Sequence, residues 1–412
     1  MITAEIINIG DELLIGQVIN TNASWMAKQL NEAGIEVLRV IAISDKREEI
    51  IHALNDSGNR ADVILLTGGL GPTRDDITKK VLAEYFQSDL VFNEKVFEHI
   101  KTLLSKRGFD VSKLRTEQAE IPANCKALPN EHGTAAGMWF EKDNHVFVSM
   151  PGVPYEMKSI VADHVIPALI EKFKPGVILH KTILTQGVPE SVLAKRIEDW
   201  EDKLPKTIKL AYLPQPGMVR LRLTARGNER TSIEKVLLEE LAKLEEIISD
   251  VIFGYDEQSL ESVIGNKLRK NKQKAATAES CTGGYIAHLI TSIAGSSDYF
   301  KGSVVAYSNE IKENVLGVKG ESLTEFGAVS ETVVIQMAEG VKLKFNTDFA
   351  LAVSGIAGPS GGTEEKPVGT TWIALATPEK TIARKFLFGE HRERNIRKAA
   401  LAALNILWNE LK

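Results

Sequence analysis

A chain of 412 residues is too long for one ordinary core and points to roughly two to four domains. Its 43% hydrophobic and 25% charged residues are those of globular material, and a formal charge of −5 excludes a broad nucleic-acid or anionic-membrane surface while leaving room for a local basic pocket. The two cysteines, Cys125 and Cys281, are far apart and lack zinc or disulfide spacing, which fits a reducing cytoplasm; neither a secretion signal nor a membrane-spanning apolar run is expected.

From Thr3 to about Phe173, short apolar runs alternate with helical periodicity. Residues 5–9, 36–43 and 62–67 read as strands and residues 22–33 and 47–59 as helices, the pattern of βαβ units around a parallel sheet. Residues 137–141 and 145–150 flank Lys142-Asp143-Asn144 as a hairpin added to that sheet. A helix over 155–172 closes the domain before the linker Lys174-Pro175-Gly176. The strand at 62–67 runs into Gly68-Gly69-Leu70-Gly71-Pro72-Thr73-Arg74-Asp75-Asp76-Ile77-Thr78. Glycines this dense after a strand let main-chain N–H groups turn toward a phosphate. Asp75 and Asp76, with Asp11 and Glu12 after the first strand, offer hard oxygen ligands for a divalent ion. Each acid pair alone also reads as first-turn residues complementing a helix dipole; their convergence at the C-terminal ends of parallel strands favours a ligand site.

The middle segment, 177–254, changes rhythm: strands at 181–185, 209–213, 219–226 and 251–253, with helices at 190–204 and 233–248, give a β-α-β-β-α-β module. The third segment, 256–412, returns to α/β alternation, with strands at 274–277, 302–306, 349–354 and 371–376 and helices at 259–270, 331–344 and 394–411. Within it, Ala278-Glu279-Ser280-Cys281-Thr282-Gly283-Gly284 places Ser280 where a strand gives way to a helix over 285–293. Free N–H groups and the positive helix end there can hold a developing oxyanion, and the two glycines allow close substrate approach; a plain N-cap is the competing role.

Gly10-Asp11-Glu12-Leu13-Leu14-Ile15-Gly16, Asn20-Thr21-Asn22, the 68–78 loop and Met150-Pro151-Gly152-Val153-Pro154-Tyr155-Glu156-Met157 resemble the N-terminal domain of the CinA family, which is similar to molybdopterin-binding proteins. The resemblance implies an ADP-ribose pyrophosphatase needing a divalent metal of open identity. On that reading Gly68, Gly69, Gly71 and Thr73 cradle the nucleotide diphosphate, while Asp11, Glu12, Asp75, Asp76 and Glu156 serve the metal. Glu156 also reads as a simple first-turn helix acid. The middle module is similar in rhythm to the KH-like module of this family, but no G-x-x-G loop occurs between 177 and 254, and Gly187-Val188-Pro189-Glu190 puts an acid where a phosphate would lie. It reads as a spacer or dimerisation element rather than an RNA-binding one.

In the third segment the Ser280 turn is followed by the run 295–302, by Val305-Ala306-Tyr307-Ser308-Asn309-Glu310-Ile311-Lys312, by Gly355-Ile356-Ala357-Gly358-Pro359 with the 361–370 stretch, and by Phe388-Gly389-Glu390-His391-Arg392. In this order these motifs resemble the CinA C-terminal domain, similar to nicotinamide mononucleotide deamidases. The resemblance implies two three-layer α/β domains joined by the α+β module, a homodimer, and a cofactor-free hydrolysis of the nicotinamide carboxamide to nicotinic acid mononucleotide and ammonia. No histidine occupies a triad position; His288 falls within a helix and His391 lies beside a loop. Ser280 is then the nucleophile, and Lys312, alone or through Tyr307, takes its proton; a solvated helix lysine is the alternative. N–H groups near Cys281 and Thr282 stabilise the oxyanion, and Gly283 belongs with them to the substrate-binding turn. Gly355 to Gly358 and Arg392, with Arg397 a turn further on, are the phosphate candidates, and Ser354 and Thr370 surround the amide or merely cap strand ends. A nucleotide-binding or competence-associated protein without catalysis in its first domain is the rival from another class.

Overall fold

Central strands buried on both faces, such as Val63-Ile64-Leu65-Leu66, build both large sheets with a helical layer on each face. The computed structural model describes residues 1–71, 76–110, 116–215 and 217–412. In the first part of the chain the strands are β1 (Thr3–Ile9), β2 (Glu36–Ile43), β3 (Val63–Thr67), β4 (Leu90–Phe92), β5 (Glu120–Pro122), β6 (Lys126–Leu128), β7 (Gly137–Lys142) and β8 (His145–Met150). They form a sheet of order β2-β1-β3-β8-β7-β6 and a separate β4-β5 ladder. β2, β1, β3 and β8 run parallel and the β8–β7–β6 edge is antiparallel. Ala4, Ile6, Leu65 and Val148 face helix Thr21–Glu32 and the helical stretch 154–173, while Ile7, Ile9, Leu66 and Phe147 face helices Arg47–Gly58 and Thr78–Tyr85. The order in which strands are added reverses between β1 and β3, and that switch point opens a crevice at the strand ends.

The middle strands are β9 (Val177–Gln186), β10 (Ile208–Gln215), β11 (Met218–Gly227) and β12 (Ile252–Tyr255), in the order β10-β11-β9-β12, with helices Glu190–Glu201 and Arg230–Ile248. The last strands are β13 (Ala275–Glu279), β14 (Phe300–Val305), β15 (Phe349–Gly355), β16 (Thr370–Ala376) and β17 (Thr381–Leu387), ordered β14-β13-β15-β16-β17. β14, β13 and β15 are parallel; β16 and β17 continue antiparallel. One face of this sheet carries Leu351, Val353, Ile373 and Leu375 against helices Leu260–Lys270, Tyr285–Thr291 and Arg392–Leu411. The other face is alanine at 276, 278, 350, 352, 374 and 376, shallow enough for helix Glu331–Phe345 to lie close with Val334, Met337 and Val341.

By proximity the chain divides into two units, residues 1–179 with 225–236 and residues 180–224 with 237–412. Leu184 of β9 and Phe253 of β12 belong to the same apolar core as Leu260, Ile264, Leu351 and Leu404. Within the second unit the module therefore contributes to the core of the C-terminal domain, where a spacer or dimerisation element was expected. Among the described residues no helix is long and apolar enough to cross a membrane.

Candidate functional site

The turn after β13 matches neither the expected oxyanion pocket at a helix N-terminus nor the competing serine N-cap. Ser280 follows the strand directly, its N–H donating to Val353 O at 2.9 Å, and helix Tyr285–Thr291 begins five residues later behind Gly284 at φ +96°. The N–H groups of that helix end are taken by the buried Glu279 carboxylate, which accepts from Gly284 at 3.1 Å, Ile286 at 3.0 Å and Ala287 at 2.8 Å. A charged oxygen pair at a helix N-terminus satisfies donors and dipole together, so Glu279 fixes the turn that carries Ser280. The helix end is thus unavailable for an oxyanion, whereas the N–H groups of Cys281 and Thr282 make no bond to a carbonyl among the described residues.

Lys312 arrives from the helix that follows the neighbouring strand β14. After β14 the chain turns, Ser308 caps helix Asn309–Leu316 by accepting from Ile311 N–H at 3.3 Å, and Lys312 points inward from its first turn. The side chain is 1% exposed, which overturns a solvated helix lysine. Its Nζ lies 3.2 Å from Ser280 Oγ and donates to Ala306 O at 2.9 Å. Burial pushes its pKa below the usual lysine value by desolvating the ammonium, which the neighbouring Cys281 offsets only in part. The neighbouring Cys281 thiol is pushed up to about 12 by burial, so it stays protonated at neutral pH and leaves Ser280 as the better nucleophile.

Tyr307 takes a different place from the expected relay. Its side chain is 63% exposed and its hydroxyl accepts from Arg392 Nη2 at 3.2 Å, while Lys312 bonds to the Ala306 carbonyl instead. Arg392 Nη1 donates to Gly358 O at 2.8 Å, which joins Arg392, Tyr307 and the 355–358 loop in one rim. Arg397 stands exposed on helix Arg392–Leu411, outside this rim's bonds. Ser354 is turned to Ala328 O at 2.7 Å, a structural bond, whereas the hydroxyls of Thr282 and Thr370 are buried without a partner among the described residues. Gly355 is a close-approach glycine: a Cβ there would lie 3.0 Å from Cys281 Sγ and 2.7 Å from Thr371 Oγ1. Asn395, unnoticed in the sequence, ties Ala357 O at 3.0 Å to Gly389 O at 2.8 Å.

In the first unit a cleft of about 410 Å³ at the ends of β1, β3 and β8 is lined by Gly10, Glu12, Asp45, Gly68, Gly69, Gly71, Asp76 and Glu156. Gly68 has φ +114° and its Cα faces Ile9 O, so any side chain collides there; its N–H is spent on Met150 O at 3.1 Å and does not face a ligand. Asp11 is exposed in the short helix Asp11–Leu14, and Glu156 is held by Asn130 Nδ2 at 2.7 Å. Asn20 caps helix Thr21–Glu32 and Asn22 donates to Gly152 O at 2.7 Å, so this motif braces the cleft. Asp45, missed in the sequence, has its pKa raised by burial and by Asp11, Glu12 and Asp76. Thr73 and Asp75 lie outside the described residues. Among the described residues no three His, Cys, Asp or Glu side chains converge to hold a metal ion.

Fold and site define a protein of three α/β parts: residues 5–171 match the probable molybdopterin binding domain, 180–254 the damage-inducible protein CinA KH domain, and 257–411 the CinA C-terminal domain. A CinA-like protein of Flavobacterium psychrophilum is 49% identical over 412 residues, covering 99% of this chain and 98% of that protein. One of Cytophaga hutchinsonii is 47% identical over 411 residues, covering 100% and 98%. The chain belongs to the CinA family. Among solved structures, competence/damage inducible protein CihA from Agrobacterium tumefaciens is 39% identical, with a TM-score of 0.36, covering 36% of this chain and 91% of that one.

Proposed function

We propose that the C-terminal domain is a serine amidohydrolase acting on nicotinamide mononucleotide. The observation that carries this reading is the buried Lys312 amine 3.2 Å from Ser280 Oγ. An amine whose charged form is disfavoured by desolvation is free to accept a proton, which a surface lysine at neutral pH is not. Ser280 Oγ attacks the carboxamide carbon as its proton passes to Lys312. The tetrahedral oxyanion meets the N–H groups of Cys281 and Thr282. Collapse expels ammonia, which takes the proton from Lys312 and leaves a nicotinoyl ester on Ser280. Water, giving a proton to the same amine, hydrolyses the ester, and Ser280 recovers its proton as the acid departs. Arg392 receives the substrate phosphate by a bidentate contact, with Tyr307 orienting the guanidinium. The partnerless hydroxyls of Thr282 and Thr370 take up substrate polar atoms, since a buried unpaired hydroxyl costs about 1–3 kcal/mol until a ligand satisfies it. In Ser280→Ala, ammonia release from nicotinamide mononucleotide should vanish while the melting curve stays close to wild type; retained release would remove the nucleophile from the scheme.

For the first domain the cleft that gathers Gly69, Gly71, Glu12, Asp45 and Asp76 supports a nucleotide diphosphate ligand. The described acids alone do not form a metal site, so no step is routed through a metal. The proposal of metal-dependent ADP-ribose hydrolysis is tested by following AMP formation with magnesium, manganese and chelator. Product independent of added metal would discard the metal requirement, and no product would leave a binding domain.

A further inference from the structure

A second cleft, of about 560 Å³, lies in the second unit and uses none of the residues around Ser280. Its size falls in the range of small-molecule sites, roughly 300–1,000 Å³. One wall is the edge strand β17 and its continuation, where Arg384, Phe386 and Phe388 recur at every second residue. The two phenyl rings stack on each other with centroids 5.3 Å apart and planes 10° from parallel, an aromatic pair on the cleft wall. Helix Arg392–Leu411 supplies the adjoining wall with Lys398 and Asn405. Gln186, at the end of β9, closes the cleft.

Several polar groups here lack partners that the fold could have provided. Gln186 is 6% exposed and donates from Nε2 to Leu401 O at 2.9 Å, but its Oε1 is buried with no donor among the described residues. The Arg384 guanidinium and the Asn405 amide make no hydrogen bond or ion pair among the described residues, and Lys398 has only a long contact, 3.4 Å, to Phe388 O. Glu190 is the single carboxylate on the walls, so two cations leave the cleft net positive. A planar ring can extend the stacked phenyl pair, and an amide side chain that both donates and accepts matches the N6/N7 edge of adenine. A guanidinium with all donors free matches a phosphate.

We propose that this cleft binds an adenine mononucleotide, its ring on Phe386 and Phe388, its N6/N7 edge on Asn405 and its phosphate on Arg384 and Lys398. A donor on the ligand then satisfies Gln186 Oε1. The site is separate from the amidase reading and does not depend on it. The test is photolabelling of the full chain with an azido-adenine mononucleotide, followed by peptide mapping. Label within 184–190, 384–388 or 398–406 that AMP displaces, and that adenosine or inorganic phosphate displaces at least about tenfold less well, supports the site. The exposed Arg384→Gln should weaken that labelling by about tenfold, and Ala402→Trp, which fills the cleft, should remove it with the melting temperature monitored alongside. Label confined to the first-unit cleft or to peptides around Ser280 overturns the proposal, as does labelling indifferent to Arg384→Gln. Displacement by phosphate as effective as by AMP overturns the adenine assignment.

Discussion

At the scale of single residues, the central contrast is between two amino-acid types that sequence alone treats as ambiguous. Lys312 and Cys281 both lie within a few ångströms of the reactive turn, and burial pushes each toward its neutral form. For the thiol this removes a nucleophile; for the amine it creates a base. Linkage gives the sign of the stability effect. With the folded pKa of Lys312 below the ordinary 10.5, the unfolded chain binds more protons between the two values, so stability rises with pH across that window. Lys312→Met should therefore melt higher than wild type near neutral pH, and the gap should close as pH approaches 10.5. The same variant should lose about 10²–10⁴-fold in turnover, and the wild-type rate should climb with pH to a plateau below the usual lysine range. A rate profile flat from acid to alkali would remove Lys312 from proton transfer. Ser280 and Lys312 were legible as a pair only through motif order, since 32 positions separate them and periodicity says nothing of their meeting.

At the scale of elements, long periodic segments were readable and short ones were not. The βαβ order, the 145–150 hairpin strand and the helix at 331–344 are marked by apolar spacing that tertiary packing then uses. Helix Asn309–Leu316, at 8 residues, is too short to show a period, although Ser308 is a sound cap signal. Strand β17 escaped because Arg384 and Lys385 interrupt its apolar character at a sheet edge. The helix end after Ser280 was misread in kind: a carboxylate at the end of β13, rather than the serine, satisfies its donors. Glu279→Gln keeps the shape but gives up the charge and turns one donor toward N–H groups that need acceptors. A loss of about 1–3 kcal/mol in denaturant unfolding is expected, with a fall in turnover that exceeds any change in KM because the Ser280 turn loosens. Unchanged unfolding and kinetics would show that the turn is held by other bonds.

At the scale of the molecule, the three-part division of the sequence is only partly a division of the fold. The β-α-β-β-α-β rhythm was clear, but no pattern announced that Leu184 and Phe253 would share a core with Leu260 and Leu404. Two buried apolar side chains of this size are worth about 1.5–3 kcal/mol each. A fragment covering 257–412 should thus unfold at lower denaturant than one covering 180–412, measured by circular dichroism on both. Equal midpoints would mean that the module adds nothing to that core. A dimer, which the family resemblance implies, is a separate proposal that sedimentation of the full chain settles.

The shared core also bears on how damage to this protein would be read in a cell. Truncating Phe253, a residue with no place in the proposed chemistry, removes a ring from the core of the CinA C-terminal domain at about 3–5 kcal/mol, enough to deplete the folded population. Such a lesion would present as a missing enzyme activity although every reacting group is still encoded, and low temperature or a bound ligand, rather than a restored active site, would bring it back.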